Sequence, residues 1–191
     1  PSKVSTASDL KTSITNGLLN YASSTDLNKF GGRFKYSKVL NVIDNIDDAI
    51  SSNISRVVIR RNLKALTNQF AQYELCYGNS FHINPEGRNI KSTGFTIQGQ
   101  LDTVYITDIP NKNLDGTLDG SGKGVIAIVK GNIEQAENRL VVASAGIVDY
   151  THGEIILSTI NITSTSKTNN IIEIQAFPES NDVIGLKDLY L

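Results

Sequence analysis

The chain has 191 residues, enough for one ordinary domain or two small ones with a sizeable hydrophobic core. Its 18 Lys and Arg residues nearly balance its 19 Asp and Glu residues, so no overall charge favours binding to nucleic acid or to an anionic membrane. The single cysteine, Cys76, excludes an internal disulfide, and no apolar run approaches the roughly 20 residues that span a bilayer. The chain begins at Pro1, and we expect a soluble fragment of a longer protein.

Two apolar stripes at helical spacing predict two helices in the first fifty residues. The first stripe consists of Leu10, Ile14, Leu18 and Tyr21. The second consists of Val39, Ile43, Ile46 and Ile50. Ser8 and Ser37 are the predicted N-caps of these helices, and residues 22–34 between them are predicted to form a loop.

From Ile54 onward the helical spacing gives way to the alternation that is typical of strands. Strands are predicted at 57–61, 71–77, 94–98, 103–109, 124–130, 140–149, 154–163 and 170–177. Turns rich in Gly and Asn separate them, which favours an antiparallel sheet system. We therefore predict an α+β protein with two N-terminal helices and then a mainly antiparallel β region with hairpins. The predicted domains are a helical segment at 1–53 and a mainly β domain at 54–191 with a long glycine-rich loop near 110–124.

The segment Gly146–Ile155 is predicted to form a hairpin with a three-residue loop. Thr151 and His152 suit a type I turn, and Gly153 suits the left-handed position that closes such a loop with a bulge. Four residues of this hairpin are predicted to have structural roles, and none of them is an obvious catalyst. They are Gly146, Asp149 at a strand end, Tyr150 as a packed ring, and Gly153 in the turn.

The glycine-rich loop resembles a phosphate-binding loop only superficially. Thr117 stands where that motif needs its first glycine, and Gly124 stands where Ser or Thr would reach a magnesium ion. Asp115 and Asp119 suggest a weak calcium site, but no bidentate Glu follows them, so turn chemistry is the favoured interpretation.

No catalytic, cofactor-binding or metal-binding residue is predicted. His82 and His152 are the only imidazoles, and each lies in a loop or turn without a nucleophile or orienting group nearby in the sequence. Cys76 is expected to be an inert thiol.

Arg56, Arg60 and Arg61 form the one notable basic cluster in the sequence. Alternation places Arg56 and Arg60 on one face of a strand and Arg61 on the other. The cluster is either a solvated strand face or an interface that binds the carboxylates of a partner protein. Nucleic-acid binding is disfavoured because the net charge is balanced and no aromatic residues are interleaved with the arginines.

A series of segments in a fixed order carries a family resemblance. In chain order these are the helix Ser37–Ile50, the Arg-rich strand Val57–Arg61, Tyr73–Asn79, Lys91–Phe95, Val104–Asp108, Gly124–Val129, the hairpin Gly146–Ile155, Phe177–Pro178 and Asn181–Ile184. From about Leu10 to Leu191, the chain resembles the C-terminal portion of the baseplate wedge subunit of T-even-type contractile-tailed phages, in the wider baseplate J-like group. It departs from the family at Pro110–Gly122, a loop that is longer and richer in glycine.

The resemblance implies a non-enzymatic structural component of a phage tail baseplate wedge. It implies a protein that pairs with itself, as a homodimer, and with other wedge proteins, and links neighbouring wedges into a ring around the hub. It further implies a virion protein that is assembled in the host cytoplasm. The residues themselves predict no cofactor and no nucleic-acid or membrane partner.

Two alternatives belong to other functional classes. A β-rich binding module of a tail or adhesion protein would recognise carbohydrate or another surface, with Tyr105, Tyr150 and Phe177 as its exposed aromatic residues. A hydrolase would need His82 or His152 within hydrogen-bond distance of a Ser, Cys or carboxylate group in a cleft.

Overall fold

The computed structural model describes residues 6–29, 32–131 and 140–183, which fall into two compact units. Described residues up to Arg56, together with 181–183, form a helical unit, and residues from Val57 to Ser180 form a β unit. Two helices are followed by antiparallel strands, which confirms the predicted α+β class. Neither helix in the described parts of the chain is long and apolar enough to cross a membrane.

The helical unit contains α1 (Ala7–Ala22) and α2 (Tyr36–Asp44). The predicted stripe on α1 is half-buried at each of its four positions, while most of the residues between them are exposed. Gly17 lies on the same face, and a Cβ at this position would collide with the Ile46 side chain. No residue of α1 or α2 is fully buried, so this unit packs its apolar stripes only partially.

The N-caps of both helices differ from the prediction. Thr6, not Ser8, caps α1, because its hydroxyl accepts the Asp9 N–H at 3.2 Å while the Asp9 carboxylate accepts the Thr6 N–H at 3.3 Å. This reciprocal pair needs an acidic or amide side chain three residues after the cap, and Ser8 has Lys11 there. Lys35 occupies the N-cap of α2 without a side-chain hydrogen bond, so the prediction for Ser37 is also wrong.

The second helix is shorter than its apolar stripe. It ends at Asp44, so Ile46 and Ile50 lie in the turns that follow. The Asn45 side chain donates to the Asn41 carbonyl at 2.6 Å, and Asp47 accepts the Ala49 N–H at 2.9 Å. Asn and Asp side chains compete in this way for backbone groups that would otherwise continue a helix.

The described residues of the β unit form nine strands and a short 3-10 helix at Thr168–Asn170. The strands are β1 (Ile59–Lys64), β2 (Phe70–Cys76), β3 (Lys91–Ser92), β4 (Phe95–Ile97), β5 (Gln100–Pro110), β6 (Lys123–Lys130), β7 (Leu140–Asp149), β8 (Glu154–Thr165) and β9 (Ile171–Ala176). All pairings are antiparallel. A three-stranded sheet has the order β1-β9-β3, and β4 to β8 pair in a closed circuit that forms a barrel, with β2 added along β8.

One continuous hydrophobic core fills the β unit and joins the barrel to the three-stranded sheet. Tyr77, just after β2, shows how they are joined. Its hydroxyl donates to the Ile174 carbonyl of β9 at 2.8 Å, and its ring meets Phe81 edge-on with centroids 4.9 Å apart. Burial raises the pKa of Tyr77, which keeps this hydroxyl protonated as a donor.

Each predicted strand corresponds to an observed one, with ends that differ by up to three residues. The Arg-rich strand begins at Ile59 instead of Val57 and continues to Lys64, because β9 supplies its pairing partners only over that range. The two-residue β3 was not predicted, since so short a strand has no periodicity to read.

Candidate functional site

The predicted hairpin is formed by β7 and β8, but its loop has four residues instead of three. Asp149 and Glu154 are the last paired residues, which leaves residues 150–153 in the turn. The Asp149 carboxylate accepts the His152 N–H at 3.0 Å and so closes the turn from within. Tyr150 leaves the strand because its N–H donates to the Gly122 carbonyl at 2.9 Å, outside the hairpin.

Two glycines of the hairpin lie where no side chain fits. Gly153 has φ of 67°, as predicted for the left-handed position, and a Cβ there would also strike the Asn79 carbonyl. The Gly153 carbonyl accepts the Tyr77 N–H at 2.8 Å, which ties the turn to the end of β2. A Cβ at Gly146 would strike the Ile156 carbonyl of β8. Both glycines therefore permit close approach of neighbouring backbone.

Tyr150 anchors the turn in the core through a buried polar pair. Its hydroxyl donates to Oδ2 of Asp108 on β5 at 2.7 Å, and Oδ1 of Asp108 accepts the Ile90 N–H at 2.6 Å. Both residues are 1% exposed. Burial raises the pKa of the Asp108 carboxyl, while these two hydrogen bonds partly oppose the rise. Burial and the Asp108 charge both raise the pKa of Tyr150.

Asp149 and His152 form a contact on the surface of the turn. Nδ1 of His152 lies 3.1 Å from Oδ2 of Asp149, and Lys123 on β6 lies 4.0 Å from the same oxygen. Burial raises the pKa of Asp149, but the hydrogen bonds from His152 and the nearby Lys123 charge outweigh it, so the pKa lies below its ordinary value. The His152 side chain is 70% exposed, so this carboxylate–imidazole pair lies at a turn tip and not in a cleft of the kind that a hydrolase requires.

The three arginines occupy different environments. Arg60 on β1 is exposed, and its guanidinium lies 3.1 Å from Glu173 on β9. Arg61 is half-buried on the opposite face of the strand. Arg56 is exposed and precedes β1, in the helical unit. Lys167 also pairs with Glu173, at 3.3 Å, so Arg60 belongs to a small ion-pair network of the three-stranded sheet.

The loop at 111–122 connects β5 to β6 as an exposed hairpin connection. Asp115 accepts both the N–H and the hydroxyl of Thr117, at 3.0 and 2.6 Å. Asp119 accepts the same two groups of Ser121, at 2.9 and 2.7 Å. These hydrogen bonds, led by the hydroxyls, lower the pKa of both carboxyls. Among the residues that the structure describes, no group of three or more His, Cys, Asp and Glu side chains could hold a metal ion.

The remaining candidates do not assemble into a site. The Cys76 side chain is exposed on β2, and burial of its sulfur followed by the Glu74 carboxylate raises its pKa, which disfavours the reactive thiolate. Of the three aromatic residues considered for a binding module, Tyr150 is buried, so the prediction that it contributes to an exposed platform is wrong. Tyr105 and Phe177 are half-buried.

An apolar row on the outward face of the same hairpin was not predicted from the sequence. Val125 on β6, Ile147 on β7 and Ile156 on β8 lie directly opposite one another. Ile147 is 56% exposed, and the other two are half-buried in a shallow depression of this face. The pairs Ile147-Val148 and Ile155-Ile156 are the available signal, because consecutive apolar residues in a strand place one on each face.

Comparison with known proteins relates the N-terminal third of the chain to a protein family. Residues 2–62 match the family model described as baseplate structural protein gp6, C-terminal domain III. A search of curated proteins found no match. The matched residues are about one third of the chain and extend from the helices into β1, whereas the hairpin Gly146–Ile155 lies outside them. The match supports a structural role in a phage baseplate.

Proposed function

We propose that this chain is a non-enzymatic structural component of a phage tail baseplate wedge. The observation that carries the proposal is the match of residues 2–62 to a domain of a baseplate structural protein. The proposed location is therefore the tail baseplate of the virion, after assembly in the host cytoplasm, and the proposed partners are other baseplate proteins.

Partial packing of the helical unit supports an assembly role. The matched residues contain both helices, and their apolar stripes are only half-buried. An amphipathic helix with an incompletely covered apolar face is a common element of protein–protein recognition. The helical unit is therefore the part of this chain that we expect to bind a neighbouring wedge protein.

The finer proposal is that the chain belongs to the baseplate J-like group of contractile tails, forms a twofold homodimer and links neighbouring wedges into a ring around the hub. The ordered resemblance from Leu10 to Leu191 supports it. Two sheets with terminal strands β1, β2 and β3 also support it, since strand edges and sheet faces are surfaces that assemblies use.

Arg56, Arg60 and Arg61 remain a proposed interface for the carboxylates of a partner. The exposed guanidiniums of Arg56 and Arg60 suit bidentate pairing with Asp or Glu of another chain. Arginine and lysine side chains on an edge strand also hinder its pairing with strands of other protein molecules, so the charges of β1 can serve this second role.

Co-expression with the products of neighbouring genes tests the proposal. The full chain, produced together with the proteins encoded beside it, should form a complex with at least one tail protein in native mass spectrometry. Tail genes should flank its reading frame. An isolated gene without tail neighbours, together with no detectable complex, would contradict the baseplate assignment.

A further inference from the structure

We propose that the outward face of β6, β7 and β8 is the surface through which two copies of this chain pair. The inference rests on the proposed self-association and adds the surface and the register of the contact. The face carries two adjacent rows, one apolar and one charged, that both run across the three strands.

The apolar row is symmetric about its centre. Ile147 lies on the middle strand, with Val125 on one side and Ile156 on the other. A second copy, rotated by a twofold axis that runs parallel to β7 between the two faces, places its β6 over β8 of the first copy. Ile147 then meets its own counterpart, and Val125 meets Ile156 of the second copy. Burial of the 56% exposed Ile147 side chain provides the apolar centre of the contact.

The charged row has opposite signs at its two ends. Lys123 on β6 and Glu154 on β8 lie on either side of Asp149. The same twofold rotation places Lys123 of each copy against Glu154 of the other, which gives two symmetry-related ion pairs in the row beside the apolar one. It also sets the two Asp149 side chains opposite each other, and each of them lies 4.0 Å from Lys123 of its own copy. The two Lys123–Glu154 pairs outnumber the single contact between like charges, so the row as a whole is complementary to itself. An isologous interface requires this self-complementarity, and it selects a second copy as the occupant.

The extent of the contact follows from the twist of the sheet. The apolar row continues to Ile109 on β5 and ends at Glu74 on β2, so these two residues lie one strand beyond the proposed contact on either side. Adjacent strands rotate by roughly 20–25° relative to one another, which turns those outer strands away from a facing copy. A contact limited to three strands is small, and we expect a weak dimer whose population rises with protein concentration.

Sedimentation velocity of the full chain over a concentration series tests the surface. The wild-type chain should shift towards a dimer as concentration rises, and Ile147→Asp should weaken dimerisation by about tenfold or more, because a carboxylate would be buried at the apolar centre. Leu114→Asp is the matched control, since Leu114 is fully exposed in the loop at 111–122, and it should leave dimerisation unchanged. Thermal unfolding of each variant verifies that it is folded.

Charge reversal tests the register independently of the apolar centre. Lys123→Glu and Glu154→Lys should each weaken the dimer, and the double variant should restore it, because each reversed pair is again complementary. A wild-type chain that stays monomeric throughout would overturn both the self-association and this surface. A wild-type dimer that Ile147→Asp leaves intact, or charge reversals without mutual rescue, would overturn the surface alone.

Discussion

The Tyr150 hydroxyl donates a hydrogen bond to Oδ2 of Asp108 at 2.7 Å, and both residues are almost completely buried. The other oxygen of the Asp108 carboxylate accepts the Ile90 N–H. The Asp108 side chain on β5 therefore connects the hairpin turn to the segment before β3. Satisfied polar groups in an apolar core restrict the arrangements that the core can adopt. The Tyr150–Asp108 pair therefore fixes the position of the β7–β8 turn relative to β5, and with it the outward apolar row of the hairpin.

Tyr150→Phe should lower the free energy of unfolding by about 1–3 kcal/mol, because it leaves a buried carboxylate oxygen without its donor. Tyr105→Phe is the matched control, since Tyr105 is on the same strand as Asp108 but only half-buried. It should change stability little. Urea denaturation of both variants measures the difference, and equal effects would contradict a special role for the Tyr150 bond.

The Asp108 carboxyl should make the protein less stable as pH rises. Burial raises its pKa above the ordinary value of 3.8, so the folded state binds the proton more tightly than the unfolded state. This contribution is fully present below the unfolded pKa and is lost as pH rises through the folded pKa. As pH rises through the folded-state pKa of Asp108, the free energy of unfolding of the wild type should therefore fall relative to that of Asp108→Asn.

Urea denaturation at a series of pH values measures this difference, and NMR titration of the Asp108 carboxyl carbon measures its pKa directly. A pKa at or below 3.8, or a wild type that gains stability relative to Asp108→Asn as pH rises, would contradict the assignment.

Gly153→Ala should be more destabilising than Gly116→Ala, although both glycines have positive φ. The backbone conformation alone costs a non-glycine residue about 1–2 kcal/mol, and Gly116 has open space around it. At Gly153 the new Cβ also strikes the Asn79 carbonyl, which must move. Thermal unfolding of the two variants compares them. Equal losses would mean that the close approach of the Asn79 carbonyl is unimportant.

Arg60→Gln should change stability by less than about 1 kcal/mol, because its pair with Glu173 is exposed and Lys167 still contacts that carboxylate. Its effect should instead appear in binding to a partner wedge protein, measured by calorimetry. Lys130→Gln is the control, since it removes another exposed ion pair on β6, with Asp102. A stability loss without a binding loss would favour a purely intramolecular role for Arg60.

Local signals in the sequence were sufficient for much of the fold. The pattern of apolar residues predicted seven long strands, and the glycine at position 153 predicted the left-handed backbone conformation that the structure has there. The ends of α2 and the start of β1 were predicted less well, because Asn45 and Asp47 compete for helical backbone and because β1 begins only where β9 pairs with it. The division into segments 1–53 and 54–191 stays a prediction.

Residues that act through distant contacts could not be predicted. Asn89 is buried and bonds both the Phe177 N–H and the Phe177 carbonyl, 88 positions away, but in the sequence it is one asparagine in a loop. The Asp108–Tyr150 pair and the outward row of Val125, Ile147 and Ile156 likewise depend on strand order, which no local pattern in the sequence specifies.

Electron cryomicroscopy of tail baseplates from virions produced by the genome that encodes this chain tests the proposed baseplate role. We expect density into which the β unit and the helical unit each fit. This density should repeat around the ring of wedges, with neighbouring baseplate proteins against the half-buried helices. Purified virions whose baseplate lacks this density, and whose proteins by mass spectrometry do not include this chain, would contradict it.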